Sequence, residues 1–127
     1  MTTLIRAGVL AALLAIASPV HADEDVSVSD VIIERANAHN ISASMMLRLA
    51  DCESRMDPRA VGKEGEVGLM QLHPRGLLPE FFRLGYGNPW SAWQQSDFTA
   101  RMLADGLGRH WSCWWTRVAG RRPPWWS

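Results

Sequence analysis

The stretch that decides the fold is residues 41–76, ISASMMLRLADCESRMDPRAVGKEGEVGLMQLHPRG. Its first half places apolar side chains at helical spacing, which predicts a helix with one apolar face formed by Ile41, Met45, Leu49 and Cys52. The Ser42 hydroxyl can cap this helix by accepting a hydrogen bond from a first-turn amide. Pro58 is predicted to end the helix shortly after Glu53, because proline lacks an N–H and disfavours helix at the residue before it.

Glu53 is the candidate catalytic residue of this helix. It follows Cys52, so its carboxylate is predicted to leave the helix end along the apolar face. Burial against an apolar wall disfavours the charged form of a carboxyl group and raises its pKa. A general acid that works near neutral pH needs such a raised pKa. Periodicity alone favours the ordinary alternative, which is a surface glutamate at a helix C-terminus.

Three motifs in this stretch resemble those of the goose-type lysozyme and soluble lytic transglycosylase family. The first is the helix end at Glu53 and Ser54, the second is the DPRAV loop at residues 57–61, and the third is the GEVGLMQLHP turn at residues 65–74. Three linked motifs in order are far more specific than one. The resemblance implies a lysozyme-like fold and a peptidoglycan substrate. It also implies that Glu53 is the general acid and base, and that no metal or cofactor is required.

The same resemblance indicates that Ser54, Gly68, Met70 and Gln71 would position the sugar. Tyr86, the only tyrosine, is added to this set of candidates. Met70, taken alone, is more typical of core packing than of a sugar contact. Many relatives carry a downstream Ala-Tyr-Asn-Ala-Gly-like segment whose tyrosine positions the glutamate, and this chain lacks it. The partner of Glu53 is therefore open between Tyr86, His110 and a tryptophan.

The reaction that the resemblance implies needs only one carboxyl group. Most glycosidases use two, but in substrate-assisted schemes an N-acetyl group of the sugar replaces the second. Glu53 would protonate the oxygen between N-acetylmuramic acid and N-acetylglucosamine and then deprotonate the muramoyl C6 hydroxyl, which leaves a 1,6-anhydro end. One alternative is a lysozyme-type hydrolase with Asp57, Glu64 or Glu66 as second carboxylate. Another is a non-catalytic peptidoglycan-binding module.

Residues 1–22 are predicted to be a cleaved signal peptide, with one charge at Arg6, an apolar run and small residues before the cleavage position. The run is shorter than the ~20 residues that cross a bilayer, so no transmembrane segment is expected after cleavage. A retained anchor is the alternative. Residues 23–120 are then one small lysozyme-like domain. Residues 121–127 form a basic, aromatic tail, predicted to be a disordered or lightly docked terminus rather than a contact for glycan, membrane or protein.

Charge and export narrow the range of partners. The 13 basic and 13 acidic residues balance, so the chain has no polybasic pattern for nucleic acid. Export predicts the periplasm of a Gram-negative cell, or otherwise secretion, with peptidoglycan strands as the partner. By analogy with small exported relatives, an envelope-spanning secretion, conjugation or pilus machine is a further candidate partner.

Cys52 and Cys113 are the only two cysteines. An exported chain meets an oxidising compartment, so a disulfide between the Glu53 helix and the C-terminal region is predicted. The alternatives are two buried thiols, or a nucleophilic Cys52 beside a histidine. No local pattern assembles such a nucleophile, and two cysteines with four scattered histidines have no zinc-site spacing.

The rest of the chain predicts a mainly α fold with a minor β-hairpin beside the cleft. Residues 27–39 are predicted to form a first helix, capped by Ser27 or Ser29. Residues 61–68 contain three glycines and alternating charge, which indicates turns around one or two short strands. A closing helix, capped by Ser91 or Ser96, is predicted to continue through two glycines to Trp114 and to bring Cys113 toward Cys52.

Overall fold

The computed structural model describes residues 26–118, apart from the side chains at positions 115 and 117. The helices in chain order are α1 (Val28–Ala38), α2 (Ala43–Ser54), α3 (Leu77–Arg83) and α4 (Ala92–Ala104), followed by a 3₁₀ turn (Gly108–His110) and a short π-helix (Trp114–Val118). The predicted mainly α fold is confirmed. The predicted signal peptide and basic, aromatic tail lie outside the described residues. Within residues 26–118, no helix is long and apolar enough to span a membrane.

Serine side chains cap the three longer helices. The hydroxyls of Ser27, Ser42 and Ser91 each accept a hydrogen bond from the amide three residues later, at 3.1, 3.3 and 3.2 Å. Each bond satisfies one of the amides that a helix start leaves without a partner. The structure therefore selects Ser27 over Ser29 and Ser91 over Ser96, which is buried within α4.

Helix α2 ends in a left-handed turn directly after Ser54. Arg55 and Met56 have φ angles of 53° and 65°, so the chain leaves the helix before it reaches Pro58. The Ser54 hydroxyl supports this turn by donating to the Ala50 carbonyl and accepting from the amide of residue 57, both at 3.1 Å. The prediction that Pro58 ends the helix is therefore wrong in detail, and Glu53 lies in the last helical turn.

The predicted β-hairpin is reduced to two isolated antiparallel bridges, which join Val67 to Val61 and to Leu72. Gly65, Gly68 and Gln71 have φ angles of 85°, 78° and 51°, so the chain turns every three residues here. No run between these turns is long enough to form a ladder of paired residues. Residues 61–72, the turn segment, form a compact series of turns beside the end of α2.

The predicted closing helix is also shorter than expected. α4 ends at Ala104, and Gly106 adopts a φ of 78°, a conformation that commonly ends helices. The chain then reaches Cys113 through the 3₁₀ turn rather than on a continuous helix. A disulfide joins Cys113 to Cys52 with a Cα–Cα distance of 6.0 Å, as predicted from the two cysteines.

Helix α1 packs against both α2 and α4, and this arrangement encloses the core. The core residues are largely aliphatic or aromatic, and the largest of those fully buried include Trp111, Phe81, Phe98, Ile32, Met46, Leu49, Leu69, Met70 and Leu72. Burying a side chain of this size stabilises the fold by about 1.5–3 kcal/mol. Leu69, Met70 and Leu72 belong to the turn segment, so the core holds that segment against the end of α2.

Candidate active site

Glu53 lies in a cavity of about 420 Å³. Three parts of the chain form its walls: the end of α2, the turn segment and the stretch that leads to Cys113. Besides Glu53, the lining residues are Gly62, Lys63, Glu66, Gln71, His73, His110, Trp111 and Ser112. The cavity therefore combines residues from distant parts of the sequence around one carboxyl group.

The Glu53 carboxylate is half-buried and is held from the opposite wall. Its Oε1 atom accepts a hydrogen bond from the backbone N–H of Cys113 at 3.3 Å. Cys113 is disulfide-bonded to Cys52, the residue before Glu53, so the bridge keeps the donor beside the acceptor. Because the carbonyl oxygen of a protonated carboxyl group is a better acceptor than its hydroxyl oxygen, we assign the acidic proton of Glu53 to Oε2.

Burial raises the pKa of Glu53 to about 7. The Cys113 N–H opposes this rise by stabilising the anion, and the negative charge of Glu66 adds to it. The structure thus answers the question that periodicity left open, since Glu53 is not an exposed helix-end glutamate. At neutral pH the group is present in both protonation states, as a residue that alternates between acid and base requires.

Glu66 and Gln71 approach the backbone closely at Gly62. A Cβ atom at position 62 would lie 2.0 Å from the Glu66 carboxylate and 2.6 Å from Gln71 Oε1, so any other residue there would displace these two side chains. Gln71 is held by its amide nitrogen, which donates to the carbonyls of Ala60 and Gly68 at 3.2 and 2.9 Å. Glycine at position 62 therefore leaves room for a second carboxylate and a fixed amide in the Glu53 cavity.

Two of the predicted sugar-binding residues are inside the fold rather than at the cavity surface. Met70 is fully buried, and its backbone N–H and C=O bond to Gln95 and Trp111 at 2.7 and 2.9 Å. Gly68 is buried too, and a Cβ there would lie 2.2 Å from Gln95 Nε2. Ser54 uses its hydroxyl to close the end of α2. Of the motif positions predicted to hold sugar, only Gln71 lines the cavity.

Tyr86 lies outside the Glu53 cavity. Its ring stacks on Phe81 with centroids 5.0 Å apart, and its hydroxyl donates to Asp97 at 2.6 Å. Asp97 also accepts from Arg35 and His39, at 3.1 and 2.8 Å, so this polar cluster joins α1 to α4. Tyr86 is therefore not the partner of Glu53. The candidates His110 and a tryptophan line the cavity, but the hydrogen bond to Glu53 comes from the backbone of Cys113.

The sequence interpretation missed Gln95. This fully buried residue of α4 accepts from Met70 N–H and donates to the carbonyls of Val67 and Pro89, at 2.8 and 2.6 Å. It therefore anchors the turn segment that forms one cavity wall. A signal was present, since Gln95 stands three residues before Phe98 on the buried face of α4, where a polar residue requires partners.

Glu64, Glu66 and His73 have side-chain atoms within 4.8 Å of one another, a spacing compatible with a metal site. Their hydrogen bonds argue against one. His73 Nδ1 accepts from the Arg75 N–H at 3.0 Å, so in the neutral ring the proton is on Nε2, which faces Glu64 at 3.1 Å. Neither nitrogen then has a lone pair available for a metal. We assign no metal to this cluster.

Compared with models of protein families, residues 30–89 match the transglycosylase SLT domain. The match begins in α1, contains Glu53 and the turn segment, and ends before α4. This domain type acts in general on peptidoglycan. Neither the curated proteins nor the solved structures that were compared with the chain gave a match.

Proposed function

Because residues 30–89 match the transglycosylase SLT domain, we propose that the protein is a peptidoglycan lytic transglycosylase. It cleaves the β-1,4 bond between N-acetylmuramic acid and N-acetylglucosamine and leaves a 1,6-anhydromuramoyl end. The observation that carries the proposal is that the carboxyl group of Glu53 lies in a cavity and has a pKa of about 7. Glu53 lies in the last turn of α2, within the matched residues 30–89.

In the first step, Glu53 donates the proton of Oε2 to the glycosidic oxygen as the bond from C1 breaks. The resulting carboxylate keeps its hydrogen bond from the Cys113 N–H, which stabilises the negative charge. The N-acetyl group of the muramoyl sugar stabilises the positive charge that develops at C1, so no second protein carboxylate is needed.

In the second step, the Glu53 carboxylate takes the proton of the muramoyl C6 hydroxyl. The C6 oxygen attacks C1 and closes the anhydro ring, and Glu53 is protonated again. No water is consumed. Glu66 acts indirectly in this scheme, because its negative charge helps to keep Glu53 protonated before the first step.

The test is mass spectrometry of the soluble products from purified peptidoglycan, with wild type, Glu53→Gln and Glu64→Gln compared. Glu64 is a matched control, because it is an exposed carboxylate of the turn segment that does not line the cavity. We expect anhydromuropeptides from wild type and Glu64→Gln, and a loss of at least about 100-fold in Glu53→Gln, the size typical of a missing general acid. Undiminished cleavage by folded Glu53→Gln would refute the assignment.

The second candidate function is a hydrolase that uses Glu66 as the second carboxylate. Of the three carboxylates considered from the sequence, Glu66 alone lines the Glu53 cavity, whereas Asp57 is exposed and caps the Arg59 amide at 2.8 Å. A hydrolase of this kind produces reducing ends, and Glu66→Gln inactivates it. The transglycosylase produces anhydro ends, and Glu66→Gln remains active.

We also propose that the reaction takes place in the cell envelope after export. The Cys52–Cys113 disulfide supports this location, because such bonds persist in oxidising compartments. Fractionation of cells that express the full chain would test it, and a chain retained in the cytoplasm would contradict it. An envelope-spanning secretion, conjugation or pilus machine remains a proposed partner, by analogy alone, and crosslinking in the envelope would test it.

A further inference from the structure

Trp111 connects two walls of the Glu53 cavity. Its side chain lines the cavity but is only 2% exposed, because most of the ring is packed in the core. The indole N–H donates to the backbone carbonyl of Met70, in the turn segment, at 2.9 Å. Among the hydrogen bonds of the described residues, this is the only one that joins the stretch 108–113 to the turn segment. Trp111 therefore ties one cavity wall to another.

The same stretch carries the Cys113 N–H, which bonds to Glu53. Backbone hydrogen bonds fix the shape of the stretch on both sides of Trp111, whose N–H donates to the Gly108 carbonyl at 3.0 Å and whose C=O accepts from Trp114 at 3.1 Å. The Trp114 ring packs so closely over Gly108 that a Cβ there would lie 2.5 Å from it. The stretch is thus one compact turn, so the position of the Trp111 ring sets where the Cys113 N–H points.

The disulfide alone does not orient this N–H. It keeps the Cα atom of Cys113 at 6.0 Å from that of Cys52, but the side-chain bonds of a disulfide can adopt more than one rotamer. The backbone of Cys113 can therefore turn while the bridge stays intact. A second anchor is needed to hold the N–H at 3.3 Å from Glu53 Oε1.

We propose that Trp111 is a positioning residue for Glu53, because its bond to Met70 holds the Cys113 N–H against Oε1 of the carboxylate. The inference rests on the proposed function, since it takes Glu53 as the acid. Without the indole N–H, the stretch is released from the turn segment and the Cys113 N–H moves away from Oε1. The anion then loses its stabilising donor, and Glu53 keeps its proton to a higher pH.

The test measures the ionisation of Glu53 directly, by NMR of its carboxyl carbon as a function of pH in the full-length chain. Trp111→Phe keeps an aromatic ring and removes the indole N–H. We expect it to raise the pKa of Glu53 by at least about 0.5, because losing a hydrogen bond to a charged group costs that much or more. The matched control is Phe98→Leu, which removes a buried ring that packs on Phe81 and Tyr86, away from the cavity. It should lower stability and leave the pKa of Glu53 unchanged.

Cleavage assays give a second readout and separate the two proposals. The pH at which kcat/KM falls should move upward in Trp111→Phe by the same amount as the pKa, and should stay in place in Phe98→Leu. An unchanged or lowered pKa of Glu53 in folded Trp111→Phe would overturn the positioning role and leave the transglycosylase assignment intact. If wild type cleaves no peptidoglycan, the proposed function fails, while the carboxyl titration still decides the role of Trp111.

Hydrogen exchange in wild type decides the case in which Trp111→Phe does not fold. If the bond to Met70 holds the Cys113 N–H in place, the indole proton of Trp111 and the amide proton of Cys113 become exposed in the same opening event. We then expect equal protection of the two protons. An indole proton that exchanges freely while the Cys113 amide stays protected would overturn the proposal.

Discussion

The carboxyl group of Glu53 is held between opposing influences. Burial and the charge of Glu66 favour its neutral form, and the N–H of Cys113 favours its anion. The balance gives a pKa of about 7, above the ordinary value of 4.5. The balance sets how the free energy of unfolding depends on pH and, under the proposed function, how the rate of glycan cleavage depends on pH.

The first prediction concerns the pH dependence of cleavage. Because the first step needs protonated Glu53, we expect activity to fall as the pH rises through about 7. Replacing Glu66 by Gln removes a charge that raises the pKa of Glu53, so the fall should begin at a lower pH. The measurement is kcat/KM against pH for both proteins. Glu34→Gln, which removes an exposed charge from α1, is the control and should match wild type. A profile that Glu66→Gln does not shift would contradict this electrostatic role.

The second prediction concerns stability. The pKa of Glu53 is higher in the folded chain than in the unfolded one, so the folded state binds more protons between about pH 4.5 and pH 7. The stabilising contribution is complete below pH 4.5 and is lost as the pH rises through 7. Glu53→Gln carries no ionisable group, so it should be more stable than wild type at pH 8 by about 1–2 kcal/mol, after allowance for solvent screening. Urea denaturation at pH 4.5 and pH 8 checks this, and an equal difference at both values would exclude it.

At the scale of elements, the turn segment depends on α4 for its shape. Residues 61–72 contain only two isolated bridges, so the segment has little backbone pairing of its own. From α4, Gln95 makes two hydrogen bonds to the segment, with the Met70 N–H and the Val67 carbonyl, and Trp111 makes a third, to the Met70 carbonyl. The wall of the Glu53 cavity is therefore positioned by residues outside the family motif.

The third prediction tests this dependence. Gln95→Ala leaves the buried Met70 N–H and the partly buried carbonyls of Val67 and Pro89 without their side-chain partner, which should lower the free energy of unfolding by about 3 kcal/mol. The neighbouring Gln94→Ala is the control. Gln94 also accepts two backbone hydrogen bonds, from Gly87 and Asn88, but it does so at the surface, so we expect a loss of about 1 kcal/mol. Denaturant titration measures both, and losses of equal size would show that Gln95 is not an anchor.

At the scale of the whole molecule, the disulfide closes the fold around the site. It links residues 61 positions apart and keeps the Cys113 N–H beside Glu53. The residues directly before Cys113 form the remaining cavity wall. One covalent bond thus supports both the stability of the domain and the geometry of the acid.

The fourth prediction is that reduction weakens both properties. In the chain-entropy treatment, a loop of this length contributes about 4 kcal/mol, a large part of the stability of a small domain. We expect dithiothreitol to lower the melting temperature markedly. At temperatures below the melting temperature of the reduced protein, we also expect it to slow glycan cleavage. The double variant Cys52→Ala and Cys113→Ala should behave like the reduced protein and should not respond to dithiothreitol. A wild-type melting curve that dithiothreitol leaves unchanged would count against the bridge.

Local signals in the sequence were sufficient to predict the helices near the site. The serine caps, the helix that ends at Glu53 and Ser54, and the disulfide partner of Cys52 all followed from short-range patterns or from the cysteine count. The lengths of α4 and of the hairpin did not follow from such patterns. Gly106 and the positive φ angles of the turn segment interrupt them, and apolar spacing alone does not reveal such backbone turns.

Tertiary packing decided the chemistry of Glu53. Its half-buried carboxylate, the N–H of Cys113 as its partner and the separation of Tyr86 from the cavity all depend on contacts between residues far apart in the chain. The sequence could specify that a glutamate ends a helix, because helix signals act over a few residues. It could not specify the pKa of that glutamate, because burial and electrostatic fields arise only after distant segments have packed together.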